Sequence, residues 1–145
     1  MLFRSVPVSK RNENQTLKTL LLAMDLAYYT IKICCNENVF SPKYKNAVTD
    51  DLIRLAKDIY INCRTANGIK VETREDLELR TGYQLRAKAD CDTLLAELDI
   101  AKRIFHLSGK RVLYWGNKTM ECREYIMRWK ESDVKRFKEC SDIGM

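Results

Sequence analysis

Eleven cationic residues, Lys102, Arg103, Lys110, Arg111, Lys118, Arg123, Arg128, Lys130, Lys135, Arg136 and Lys138, face only four acids, Glu121, Glu124, Glu131 and Asp133, between positions 102 and 138. The local surplus of seven exceeds the +6 carried by the whole 145-residue chain. Cations at this density suit the phosphates of a polyanion, which they contact without reading sequence. Tyr114, Trp115, Tyr125, Trp129 and Phe137 are interleaved with them, and aromatic residues among cations either stack on bases or fill a core. A second group, Arg54, Lys57 and Arg64, falls at three- and seven-residue steps, on neighbouring turns of a helix. The candidate phosphate contacts are therefore Arg54, Lys57 and Arg64 with Lys110, Arg111, Lys118, Arg123, Arg128 and Lys130.

Other chemistry finds little to build on. No GxxxxGK[ST] phosphate loop, GxSxG elbow or HExxH pair occurs. Paired acids do occur, as Asp50-Asp51, Glu75-Asp76 and Asp90 with Asp92, but a two-metal nuclease needs carboxylates converging in one dry pocket, and a helix first turn or solvated face accounts for them more simply. His106, the single histidine, sits beside a helix end and reads as a capping or surface residue rather than a general base. The six cysteines form no CxxC pair and have no histidine at ligand spacing, so they are expected as reduced thiols used as small core residues. The sequence thus assigns no catalytic residue, no cofactor and no metal.

The elements that position the cations are helical. Five Gly, two Pro and 32% charged residues favour long helices over a multi-turn β architecture. A first helix is expected over 16–35, with Leu17, Leu20, Leu21, Met24, Ala27, Tyr28, Ile31 and Cys35 as one buried stripe. Ser41-Pro42 supplies a cap and a first-turn proline for a second helix, which carries Val48, Leu52, Leu55, Ala56, Ile59, Tyr60 and Cys63 inward and ends at Asn67-Gly68, where a left-handed terminator is wanted.

Thr73 with Glu75 and Asp76 caps a third helix of about thirty residues, running through Cys91, Leu94, Leu98 and Phe105. Its middle, at Thr81, Gln84 and Ala87 or Lys88, predicts a polar or thin core. Ser108-Gly109 breaks it from a fourth helix whose seam is Val112, Trp115, Thr119, Cys122, Ile126 and Trp129. Short links between long helices give an all-α, antiparallel, up-down four-helix bundle over 16–138, with an N-terminal extension over 1–15 and a tail over 139–145. No stretch reaches the roughly 18 apolar residues of a membrane span, and a cytoplasmic protein is expected.

On this frame Trp115 and Trp129 turn inward, while Tyr114 and Tyr125 stay available for contact. Lys118, Arg123 and Lys130 form an exposed ridge that meets the one on the second helix. The alternative is a solubilising face in which Asp50 or Asp51 pairs with Arg54 and Glu121 or Glu124 with Arg128. The net excess favours binding, because a salt-bridged face comes out nearly neutral. Ile53, Ile61, Leu79, Tyr83, Leu113, Met120 and Met127 fall off the main stripes, which predicts apolar surface for an interface between copies.

Several stretches carry a resemblance that spans roughly residues 16–137. Phe40-Ser41-Pro42 opens the second helix and Asn62 through Asn67-Gly68 closes it; Thr93-Leu94-Leu95-Ala96-Glu97-Leu98-Asp99-Ile100-Ala101-Lys102 follows, then Tyr114-Trp115 and Trp129-Lys130-Glu131-Ser132-Asp133. The order resembles the four-helix-bundle proteins encoded in intervening sequences of bacterial large-subunit ribosomal RNA genes, and their relatives, the accessory variability determinants of diversity-generating retroelements. Tyr60-Ile61-Asn62-Cys63-Arg64-Thr65-Ala66-Asn67-Gly68 replaces the Asn-Ile-Ala-Glu-Gly close of the former, which points to the retroelement branch. The resemblance implies a barrel-like homopentamer with a basic surface that binds RNA or RNA/DNA, associates with the reverse transcriptase and supports mutagenic copying of an RNA template into cDNA. It supplies no catalytic residues. An interaction bundle of the ribosomal type without a reverse transcriptase partner, and a metal-dependent nuclease using Asp50-Asp51 or Asp90 and Asp92, are the competing readings.

Overall fold

The computed structural model describes residues 8–142. It contains four long helices, α1 (Val8–Cys34), α2 (Asp50–Asn67), α3 (Arg74–Phe105) and α4 (Gly109–Asp142), with no strand among the described residues. Each helix packs on the next and α4 returns to α1, so α2 and α4 occupy diagonal corners of a bundle. None of the described helices is long and apolar enough to cross a membrane. α1 starts eight residues before the expected Thr16, because apolar periodicity reports only the buried part of a helix. Of the stretches expected to flank the bundle, residues 8–15 and 139–142 continue α1 and α4, while 1–7 and 143–145 lie outside the described residues.

The seams of α3 and α4 run in alternating steps of three and four. Arg80, Gln84, Ala87, Cys91, Leu94, Leu98 and Ala101 are buried on α3, and Trp115, Thr119, Cys122, Ile126, Trp129 and Asp133 on α4. Trp115 and Trp129 are core residues, as their spacing predicts. The polar stretch expected in α3 is present: Gln84 is fully buried and its amide donates to Asp133 Oδ2 at 2.8 Å.

The stripe on α1 departs from expectation. Thr19, Leu20, Ala23, Leu26, Ala27, Thr30 and Cys34 point inward, whereas Leu17, Leu21, Met24, Tyr28 and Cys35 are exposed, Tyr28 by 65%. Two apolar registers compete on this helix, and the inward one is built of small residues and threonines that let α1 approach its neighbours closely. Thr30 repays its burial by accepting the Trp115 indole N–H at 3.0 Å.

The entry to α2 is also irregular. Ser41 caps a 3₁₀ turn, Pro42–Tyr44, accepting from the Lys43 amide at 3.3 Å, and a π-helical turn, Lys45–Thr49, precedes the α-helix. The wider turn shifts the register so that Tyr44 meets Phe105 while Val48 and Thr49 are both buried. At the other end Gly68 stays right-handed, φ −75°, its amide shared by the carbonyls of Arg64 and Thr65. The left-handed residue expected there occurs instead at His106, φ 53°, which ends α3. The amides of His106 and Leu107 both return to the Lys102 carbonyl, and Leu107 folds into the core, so His106 is a capping residue. Thr73 and Asp76 close the predicted capping box, with bonds of 3.1 and 3.0 Å.

Up-and-down topology gives the bundle two unlike ends. Where α1 stops and α4 starts, Phe40, Tyr44, Phe105, Trp115 and Tyr29 stack in tilted and edge-on pairs. At the opposite end the buried Asp133 accepts from Arg80 Nε at 2.7 Å and Nη2 at 3.1 Å, from Gln84, and from Arg136 Nη2 at 2.9 Å. Arg80 also donates to the Ile69 carbonyl at 3.1 Å and lies over the Trp129 ring, so one guanidinium ties α3, α4 and the α2–α3 loop together. Midway, Cys63, Cys91 and Cys122 are buried. A hydrogen bond with Cys122, together with burial, holds the Cys91 thiol protonated, and burial raises Cys34 to about 12.

Removing one partner of a buried ion pair strands the other charge. Asp133→Ala is therefore expected to destabilise the fold by about 3–5 kcal/mol, measured by urea unfolding followed by circular dichroism.

Candidate nucleic-acid interface

The nine candidate cations divide by what faces them. Arg54 lies between Asp51 and Asp58, at 3.6 and 3.7 Å, and Lys45 holds Asp50 at 3.0 Å. Arg128 reaches Glu124 at 3.8 Å and lies over the Tyr125 ring. Arg123 is the most firmly held: its Nε donates to Asp92 Oδ1 on α3 at 2.7 Å, while Lys88 takes the other oxygen at 2.9 Å. Partial desolvation opposes ionisation of Asp92, but the two cationic donors outweigh it and hold its carboxyl below the ordinary range. The salt-bridged face thus accounts for Arg54, Arg123 and Arg128. Lys57, Arg64, Lys110, Arg111, Lys118 and Lys130 make no ion pair among the described residues.

The two ridges do not join, because α2 and α4 sit on diagonal corners. The α4 ridge is itself divided. Lys118 turns toward α1, where its Nζ lies over the rings of Tyr29 and Tyr114, at 6.0 and 5.4 Å. Arg123 turns to the other flank, toward α3. What the structure brings together is the first three turns of α4, with Lys110, Arg111, Lys118 and the half-exposed Tyr114, packed edge-on against Tyr29 of α1 at 5.2 Å. That is a basic surface with aromatic rings, at the aromatic end of the bundle. Tyr29 was not legible as part of it, since only the α1–α4 packing delivers it there. Tyr125, the other expected contact, is half-buried beneath Arg128.

The paired acids point apart. Asp90 accepts from the Asn62 amide of α2 at 3.1 Å, whereas Asp92 faces α4. Burial, and then the nearby Asp58, raise the Asp90 carboxyl above its ordinary value. Among the described residues no three His, Cys, Asp or Glu side chains gather as a metal site.

The chain matches no family model, no curated protein and no solved structure. The arguments for its function are therefore those of charge, surface and topology, with the sequence resemblance beside them.

The Asp92 cluster makes a pH-dependent prediction. A carboxyl whose folded pKa is depressed stabilises the fold fully above its unfolded value, about 4, and loses that contribution as pH falls through the folded value. Asp92→Asn should lower the melting temperature at pH 7, and the gap to the parent protein should close as the pH is taken below about 4. A gap that persists in acid would assign the effect to packing.

Proposed function

We propose that the protein is a non-catalytic, nucleic-acid-binding accessory protein that assembles into a ring and works with a retroelement reverse transcriptase and its RNA template in mutagenic cDNA synthesis. The observation that carries the binding reading is the basic surface at the start of α4, where Lys110, Arg111 and Lys118 form no ion pair among the described residues and flank Tyr114, with Glu121 in the groove beside Lys118. Such a surface contacts phosphates and stacks loosely on bases without reading sequence. The reverse transcriptase, the RNA or RNA/DNA and the pentameric count rest on the resemblance of the helix-closing and Trp-containing stretches.

Assembly has its own support. Tyr29 turns toward α4, so Leu17, Leu21, Met24 and Tyr28 occupy the other flank of α1, beside α2. The exposed Leu113, Met120 and Val134, with the half-buried Met127, recur every seven residues on α4. They fall on its α3 side, the side Arg123 also takes. Two exposed apolar strips on opposite sides of one bundle suit a heterologous contact, in which one side of each copy meets the other side of the next and rotation closes a ring. Several weakly basic surfaces on one ring then gain avidity for a long polyanion.

Two experiments test this. Lys110→Glu, Arg111→Glu and Lys118→Glu together should abolish RNA binding in a low-salt filter assay at unchanged helicity, while parental binding falls steeply as salt is raised. Unaltered binding would sink the surface assignment and leave Arg123, Arg128 and Lys130 as the next triple to reverse. For assembly, Leu21→Glu with Met24→Glu should reduce the light-scattering mass to that of one chain without loss of helix. A mass that does not change removes the α1 strip from the interface.

A further inference from the structure

A cavity of about 580 Å³ opens at the ionic end of the bundle, between the α1 turn at Thr16–Leu20, the α2–α3 loop and the last turns of α4. Among its described lining side chains, Lys70, Arg80 and Arg136 are cationic and none is a carboxylate. Among the described residues the one acid bonded to this group, Asp133, is buried and already accepts from Arg80, Arg136 and Gln84. Its lone pairs are spent on these donors. Among the described residues, three lining cations against one bonded carboxylate leave a surplus of two positive charges.

Arg80 is held away from water, while Lys70 is exposed and Arg136 half-buried. Arg80 is nine-tenths buried, and of its five N–H groups only three have acceptors among the described residues, two on Asp133 and one on the Ile69 carbonyl. The Arg136 Nε is buried with no acceptor. Glu72 lines the adjoining cavity beyond Arg136 but forms no ion pair with it. Orphaned buried donors are costly, and an anion in the cavity supplies the acceptors they lack.

We propose that this cavity is a phosphate site, taking the dianionic phosphate of a monoester or the free ion against Lys70, Arg80 and Arg136. The surplus of two charges matches a dianion better than a backbone diester, which carries one. Paired guanidinium groups present planar donors that match phosphate oxygens, and the volume also admits a nucleoside attached to the phosphate. The site lies at the opposite end of the bundle from the Lys110–Lys118 surface, so the two are separable.

The test is calorimetric titration of the full chain with inorganic phosphate, against chloride at matched ionic strength. Saturable binding is expected, weakened about tenfold or more by Lys70→Gln and by Arg136→Gln, each removing one charged contact. Lys70 is exposed on the loop, so its variant stays informative should Arg136→Gln disturb the Asp133 cluster. Binding no better than chloride, or full affinity in Lys70→Gln, overturns the assignment. The Lys110→Glu, Arg111→Glu, Lys118→Glu variant should bind phosphate as the parent does; loss there would move the ion to the outer surface and overturn it equally. Competition identifies the source. Displacement by a 5′-phosphorylated oligoribonucleotide and not by its 5′-hydroxyl counterpart marks a chain end, displacement by neither marks the free ion, and equal displacement by both contradicts a dianion site.

Discussion

Asp133 is the acid on which the lower half of the bundle depends. A carboxylate four residues beyond Trp129 occupies the next position of the α4 seam, where an apolar residue would have sufficed for burial. It instead fixes Arg80 and Gln84 of α3, and through Arg80 the Ile69 carbonyl of the α2–α3 loop. Hydrophobic contact alone tolerates sliding of one helix against another by a turn. A carboxylate with four donors does not, since any other register leaves a buried charge unpaired. Registry of α3 and α4 therefore follows from polar geometry at one end and from aromatic shape at the other.

This division explains what was legible in the sequence. The α3 and α4 seams were readable because only one face of each offers residues at the right spacing, and Trp115 and Trp129 could not be placed outward without exposing them. Gln84 announced the polar layer, but its partner was read only as one acid among many cations; its position one step beyond Trp129 was the available signal. α1 misled because both of its registers are apolar, and the larger residues mark the wrong one. Size is a poor guide where close helix approach selects Ala23, Ala27 and Thr30. The left-handed residue falls at His106 and not at Gly68 because backbone hydrogen bonds to Lys102 and Arg64, rather than residue type, set each helix end.

Charge was legible as a sum and not as a surface. The surplus over 102–138 is real, yet Arg123 and Arg128 are answered by Asp92 and Glu124, and the fold turns Lys118 and Arg123 to opposite flanks. Counting along the chain cannot distinguish a cation held by a neighbouring helix from one facing solvent, because the acids of α3 come alongside α4 only after folding. Of the remaining cations, Lys110, Arg111 and Lys118 come together beside Tyr114 and Tyr29, which gives the basic surface its place in the bundle.

The two unlike ends also give the molecule a direction of yielding. The start of α1 and the end of α4 both lie at the end secured by Asp133, where one carboxylate holds α3, α4 and the α2–α3 loop together. The aromatic end has no charge to titrate among Phe40, Phe105 and Trp115 and responds instead to loss of apolar contact. Local opening should thus begin at the start of α1 and the end of α4 and travel inward, leaving the α1–α2 and α3–α4 turns as the last ordered part. The basic surface beside those turns would outlast the half of the bundle that yields first.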